Sequence, residues 1–320
     1  MAKQVFSKAN MIWSGLGLFI FLLIWILLRV GILNSYYEST IFTICINIIL
    51  AVSLNLIVGI CGQFSLGHAG FMAIGAYSAG IVTRMIPSYF GLALGILIGF
   101  GITILAGLVV SIPTLRLRGD YLAIATLGFS EIIRICIQTM KITNGAAGLT
   151  GIPKLTTWPL LFICMVLSII ICTNFVRSAP GRAARAINDD EIAAEAMGIN
   201  TTKYKVAAFV VGAMLASLAG SLFANYFYVL NPNQFTFNKS IDILVMVVFG
   251  GMGSMSASVI AAIVIGILNM YLQQFADIRM IIYGAALVLM MIFRPQGILG
   301  TWEVSIERWL TKHKLKKEEA

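Results

Sequence analysis

Two groups of residues in this chain have the types and spacing to do chemistry, and both stand out because so little around them is polar. The first is spread through apolar sequence: Asn47, Asn55, Gln63, Ser65 and His68, then Glu131 and Arg134 one helical turn apart. The second is the short segment GRAARAINDDEIAAEAMGIN, from Gly181 to Asn200. Between Arg177 and Lys205 stand five basic residues (Arg177, Arg182, Arg185, Lys203, Lys205) and four acidic ones (Asp189, Asp190, Glu191, Glu195), out of 22 and 13 in the whole chain. Neither group is a catalytic constellation. No Ser/His/Asp set, paired-carboxylate arrangement or HExxH is visible, and no GxxxxGK[ST] phosphate loop occurs, so an enzyme is the weaker class and any ATPase is a separate subunit.

The chemistry that remains is ion pairing and hydrogen bonding in an apolar medium, where a lone charge is costly. Glu131 and Arg134 are expected to face protein or water and to pair, either fixing helix packing or lining a pathway. Asn47 and Asn55 are expected to be interhelical hydrogen-bonding groups before they are substrate ligands. Gln63, Ser65 and His68, in GQFSLGHAG, fit either a polar helix start lining a cavity or a capping turn. His68 has no Cys, Asp or Glu close by in sequence, so no metal site is expected.

The elements that position these residues follow from composition. With 59% hydrophobic and 11% charged residues over 320 positions, the chain is far from the soluble balance of roughly 45–50% and 25%. The net charge of +9 is carried in blocks between apolar runs, the pattern of membrane topology and not of a nucleic-acid surface. Cys45, Cys61, Cys136, Cys164 and Cys172 form no CxxC pair and are read as small buried hydrophobes. Lys3 and Lys8 precede an apolar run that begins at Met11 and is too long for a signal peptide, so a retained first transmembrane helix is expected.

About 20 apolar residues span the hydrocarbon core. On that rule ten crossings are expected, near 12–32, 41–60, 66–84, 90–112, 120–139, 158–176, 204–228, 240–255, 257–274 and 279–294. The glycine-rich stretch Phe249–Ser258, with Gly250, Gly251 and Gly253, is either a tight turn or a broken helix. With the N-terminus inside, fifteen of the 22 basic residues fall on the inner side, which places both termini and the charged segment in the cytoplasm. The second to fifth and seventh to tenth crossings run in opposite senses, as in inverted-repeat transporters, and share Gln63-Phe64-Ser65 against Gln234-Phe235-Thr236. Gly91, Gly95 and Gly99, and Gly212, Ala216 and Gly220, recur every four residues as helix-packing stripes.

Within the charged segment, Pro180 suits a first helical turn. Asn188 and Glu191 fit a capping box and Gly198 a stop, predicting a helix over about 189–197. Ile192, Ala193, Ala196 and Met197 share one side of it, and Glu191 and Glu195 another. Such a helix is too short to be stable alone and is expected to dock on a separate ATPase.

GQFSLGHAGFMAIGAY (62–77), RLRGDYLAIATLGFSEIIRI (116–135), NGAAGLTGIP (144–153), GRAARAINDDEIAAEAMGIN (181–200), VVFGGMGS (247–254) and FRPQGILG (293–300) together resemble the LivM-type permeases of bacterial branched-chain amino acid ABC importers. The resemblance implies an all-α polytopic fold, one permease domain over 1–320 with about ten transmembrane helices in inverted repeats. It implies residues 181–198 as the coupling helix, with Arg182, Asn188, Asp190, Glu191, Ile192, Glu195, Ala196, Met197 and Gly198; the charge distribution, not the resemblance, makes 301–320 a basic cytoplasmic tail. It implies as partners a LivH-type permease, two cytoplasmic ATPases that use ATP and Mg, and a periplasmic amino-acid-binding protein in an inner membrane, with no cofactor on this chain. Urea, sugar and nucleoside permeases are related alternatives, against which TLGFSEIIR (126–134) and NGAAGLTGIP favour amino acids. NGAAG departs from the bulkier or proline-containing segment frequent in the family, which bears on the external gate. An ion-coupled secondary transporter would need intramembrane acids, for which only Glu131 and Asp242 are candidates.

Overall fold

The computed structural model describes residues 2–31, 34–114 and 119–272, with 282, 284, 285, 288, 289, 292, 293, 297 and 300 beyond them. Arg116 and Arg118, most of the crossing expected at 279–294 and the 301–320 tail lie outside the described residues. The described chain is almost wholly helical. It runs α1 (Ala2–Val30), α2 (Ser35–Asn55) prolonged by a π-helical turn (Leu56–Ile60), α3 (His68–Met85), α4 (Tyr89–Thr114) and α5 (Asp120–Thr139). After β1 (Leu149–Thr150) come α6 (Trp158–Arg177), α7 (Ala179–Asp189), α8 (Glu191–Ala196) and α9 (Thr201–Phe227). β2 (Val229–Leu230), α10 (Phe237–Gly250) and α11 (Met255–Leu272) complete it. The two strands form an antiparallel ribbon with Leu149 opposite Leu230, a small exception to the all-α expectation.

Six stretches are long and apolar enough to cross a membrane: Ser35–Ile60, Tyr89–Thr114, Tyr121–Thr139, Trp158–Arg177, Thr201–Phe227 and Met255–Leu272. They agree with six of the expected crossings, and the chain is a multi-pass membrane protein. The remaining expected crossings, on α1, α3, α10 and 279–294, are not among these six. α1 is a continuous helix of 29 residues, Ala2–Val30, whose apolar stretch Gly17–Val30 lies within the crossing expected at 12–32. α3 has 18 residues but is rich in Gly, Ala and polar side chains and is buried almost throughout, so it is covered by protein instead of lipid. α10 has 14 residues, about 21 Å of helix at 1.5 Å per residue, short of the roughly 30 Å core. The chain before it is taken up by a 3-10 turn, Pro232–Phe235.

α3 sits at the centre because its glycines let other backbones approach. A β-carbon on Gly75 would collide with the Ser217 carbonyl, and one on Gly220 with the Met72 carbonyl, so α3 and α9 pack backbone to backbone. Gly95 faces Ala79 and Gly99 faces Gly75 and Ser217, which brings α4 onto the same pair. The expected stripes are therefore packing surfaces, as the absence of a hydrophobic drive between helices in lipid requires. The repeated tripeptides occupy related places. Gln63-Phe64-Ser65 lies in the non-helical link before α3, and Gln234-Phe235-Thr236 leads directly into α10. The two helix starts touch, the Ala69 N–H donating to Ser240 Oγ at 3.2 Å.

Candidate functional site

The charged segment folds as two helices joined at an angle. Ser178 caps α7, its Oγ accepting from the Gly181 N–H at 3.3 Å, and Pro180 sits in the first turn. Ala184 and Ile187 turn inward and are buried, while Arg182, Arg185 and Asn188 are exposed. α7 runs on through Asp189, so Asn188 lies in its last turn and does not cap the next helix, contrary to the sequence expectation. Its side chain instead lies against Gly62, where a β-carbon would collide with the Asn188 amide oxygen. Asp190 is extended (φ −155°, ψ 107°) and is the true N-cap, accepting from the Ile192 and Ala193 N–H groups at 2.9 and 3.0 Å. The helix is thus Glu191–Ala196, shorter than the expected 189–197.

Gly198, at φ 79°, stops it; the Gly198 N–H bonds the Glu195 carbonyl at 2.9 Å and the Ile199 N–H the Ala194 carbonyl at 3.1 Å. Six residues hold this shape because both acids are tied to α9. Glu191 pairs with Lys205 at 2.5 Å, and Glu195 accepts from Thr201 Oγ1 at 2.9 Å. Ala194 is the inward anchor, 5% exposed. The opposite side carries Ile192 and Met197, 72% and 82% exposed, with Ala193 and Ala196 also exposed. Thr201 and Gly62 carry no signal in the sequence, and Lys205, one of the five basic residues of the segment, is not marked there as the partner of Glu191, 14 positions away.

The polar residues of the apolar region separate into three places. Asn55 is fully buried and holds the α10–α11 turn, its Nδ2 donating to the Ser254 carbonyl at 2.8 Å and its Oδ1 accepting from the Gly253 N–H at 2.9 Å. This settles the glycine-rich stretch as a tight turn between two helices, with Gly251 and Gly253 at φ 124° and 93° and Gly250 packed against the Ala257 carbonyl. Asn47, also buried, accepts from Lys239 Nζ at 3.1 Å. Second, the link before α3 is buried: His68 Nε2 lies 2.8 Å from Ser53 Oγ, and Ser65 Oγ accepts from the Gly67 N–H at 3.4 Å. The Leu66 N–H donates to Thr126 Oγ1 at 3.1 Å. Among the described residues, both side-chain polar atoms of Gln63, His68 Nδ1 and Ser130 Oγ have no partner. At the head of this link, burial pushes the Cys61 thiol up to about 12, with the Lys205 ammonium pulling less strongly the other way. Cys45, Cys61 and Cys172 are buried as expected, but Cys164 is only partly buried and Cys136 is exposed.

Third, Arg134 Nε meets Glu131 Oε2 at 2.7 Å, the side chains 19% and 28% exposed, and Arg134 Nη1 reaches Gln138 Oε1 at 3.3 Å. The pair lies on the flank of α5, between the buried Thr126, Ser130 and Ile133 and the exposed Ile124, Ile132 and Ile135.

A multi-pass helical bundle with a capped, outward-facing helix between two spans has the form of a transport permease. Residues 36–291 match the family described as branched-chain amino acid transport system / permease component. The chain is 36% identical over 291 residues to the high-affinity branched-chain amino acid transport system permease protein LivM of Salmonella typhimurium, covering 79% of this chain and 68% of that protein. It is 32% identical over 152 residues to Escherichia coli LivH, about half of each chain (47% and 49%). It is 27% identical over 286 residues to Pseudomonas aeruginosa BraD, 80% and 92% of the two chains. The chain belongs to the family of permease components of branched-chain amino acid transport systems. No solved structure matches it.

Proposed function

We propose that this chain is one of two related permease subunits of an ATP-driven importer that moves branched-chain amino acids into the cytoplasm by alternating access. Similarity to proteins named LivM and LivH alike supports a paired assembly. Its other members in this reading are two ATPases that use ATP and Mg, and a periplasmic amino-acid-binding protein. The whole of 1–320 acts as one permease domain of ten membrane helices in inverted repeats, both termini and the 301–320 tail being cytoplasmic. Residues 181–198 are the coupling element, and Glu131 and Arg134 face the second permease or the pathway.

The observation that carries the reading is the outward apolar face of α8. Ile192 and Met197 are left in water on a helix whose polar side is committed to caps and ion pairs, as befits a helix seated in a partner's groove. The test is ATP-dependent leucine uptake by the reconstituted complex, with cysteine crosslinking from Ala196→Cys to the ATPase. Uptake that follows an ion gradient without ATP, or a complex that gives no crosslink from any position between 189 and 197, refutes it.

A further inference from the structure

At the end of the bundle that carries α7, a cavity of about 320 Å³ opens between α6, α7 and the first residue of α11, lined by Thr173, Val176, Arg177, Arg182, Arg185 and Met255. Half of that lining is arginine, and all three arginines are exposed. Arg182 Nη1 donates to the Arg177 carbonyl at 2.7 Å, which draws the two together. Among the described residues none of the three joins an ion pair. Of the acids that follow, Asp190 caps α8, Glu191 holds Lys205 and Glu195 accepts from Thr201, while Asp189, at the end of α7, pairs with none of the three arginines. Three arginines thus line the cavity over an apolar floor of Val176 and Met255, and among the described residues no acid forms an ion pair with them.

The place of the cavity in the bilayer says what supplies that charge. α6 exposes Ile163, Leu167, Ile170 and Ile171 along its length, and α11 exposes Ile260, Ile263, Val264, Ile267 and Leu268. Both thus carry outward apolar faces along their length, as helices set against lipid do. The cavity lies where they end, at the depth of the headgroups, with Thr173 and Val176 in the last turns of α6. Guanidinium groups match phosphate oxygens in geometry as well as charge, and basic pockets between membrane helices hold anionic headgroups.

We propose that this cavity binds the phosphodiester headgroup of an anionic phospholipid. Arg177, Arg182 and Arg185 hold the phosphate, and Val176 and Met255 receive the glycerol and first acyl carbons. Arg182 and Arg185 belong to the 181–198 segment read as the coupling element, but they lie on α7 and not on the α8 face, so the lipid site stands whether or not that face docks.

The experiment uses the assembled importer in neutral detergent, titrated with phosphatidylglycerol or phosphatidylcholine and read by native mass spectrometry. Each arginine near an anionic headgroup is worth roughly fivefold, so the wild type should prefer phosphatidylglycerol by roughly 100-fold. Arg177→Gln with Arg185→Gln should lose roughly 25-fold of that affinity, while the same two positions as Arg→Lys should keep most of it, and millimolar inorganic phosphate should not displace the lipid. A wild type without headgroup preference overturns the proposal. So does displacement by inorganic phosphate, which makes the site one for a free anion. A glutamine variant that keeps the lipid but sheds its ATPase also overturns it, because the arginines then serve a protein interface. Should the glutamine variant not assemble, the wild-type preference, the phosphate competition and the lysine variant decide.

Discussion

Replacing Ile192 by Asp separates what α8 does for the permease from what it does for a partner. In the permease Ile192 is 72% exposed, so a carboxylate there remains hydrated, and it sits in the first turn of a helix, where negative charge is favoured. The permease alone should change by no more than about 0.5 kcal/mol. Seated in a groove, the same isoleucine would lose its remaining exposed surface, roughly three quarters of the about 1.5–3 kcal/mol that full burial of such a side chain supplies. Desolvating a carboxylate in its place adds at least another about 1–3 kcal/mol. At 1.4 kcal/mol per factor of ten, the ATPase should bind on the order of 100-fold more weakly. Thermal unfolding of the permease, retention of ATPase on purification and leucine taken up per ATP hydrolysed measure the three quantities. A variant that melts as the wild type but holds no ATPase, or hydrolyses ATP without uptake, is the expected result. One that keeps its ATPase and transports normally refutes the docking of α8, and one that melts several degrees lower shows that Ile192 is packed within the permease after all.

Asn55→Ala should lower stability by about 1–3 kcal/mol, because it strips partners from the buried Ser254 carbonyl and the part-buried Gly253 N–H, and thermal unfolding in detergent reads this directly. Gly220→Leu should prevent α3 and α9 from closing, a cost of about 1–3 kcal/mol or more, whereas Gly101→Ala, with nothing within 4 Å of its β-carbon, should leave yield and melting unchanged. Arg134→Ala leaves Glu131 unpaired on a half-buried flank. It should cost about 1–3 kcal/mol, below the fully buried case because both side chains retain some exposure, and it should reduce uptake more than Lys203→Gln. Asp190→Ala removes the α8 cap, a loss of about 1 kcal/mol. Faster amide exchange confined to Ile192 and Ala193 would report it.

What could be read from the sequence was whatever depends on near neighbours. Six spans follow from runs of apolar residues, and the Glu131–Arg134 pair from an i, i+3 spacing in such a run. The stop at Gly198 follows from the need for positive φ. The cap of α8 was misplaced because Asn188, Asp189 and Asp190 are all good caps and local preference does not choose among them. The choice is made where α7 packs against Gly62, a contact between residues far apart in sequence. The expected crossing at 240–255 runs past the end of α10 because hydropathy continues through the glycine turn that stops the helix at Gly250. The ties of Asn55 to Gly253 and Ser254 were beyond reach, because Asn55 was recognisable as a hydrogen-bonding residue but nothing local named its partner.

That last contact has a consequence for biosynthesis. The groups that satisfy the Asn55 amide lie up to 199 residues downstream. At the usual synthesis rate of roughly 5–20 residues per second, the α10–α11 turn follows Asn55 out of the ribosome by about 10–40 s. For that interval α2 is inserted with a polar side chain whose final partners do not yet exist, and water, the insertion machinery or a transient neighbour must stand in. The late turn therefore acts as a latch on an early helix, and the bundle cannot complete its interior hydrogen bonds until most of the chain has been made.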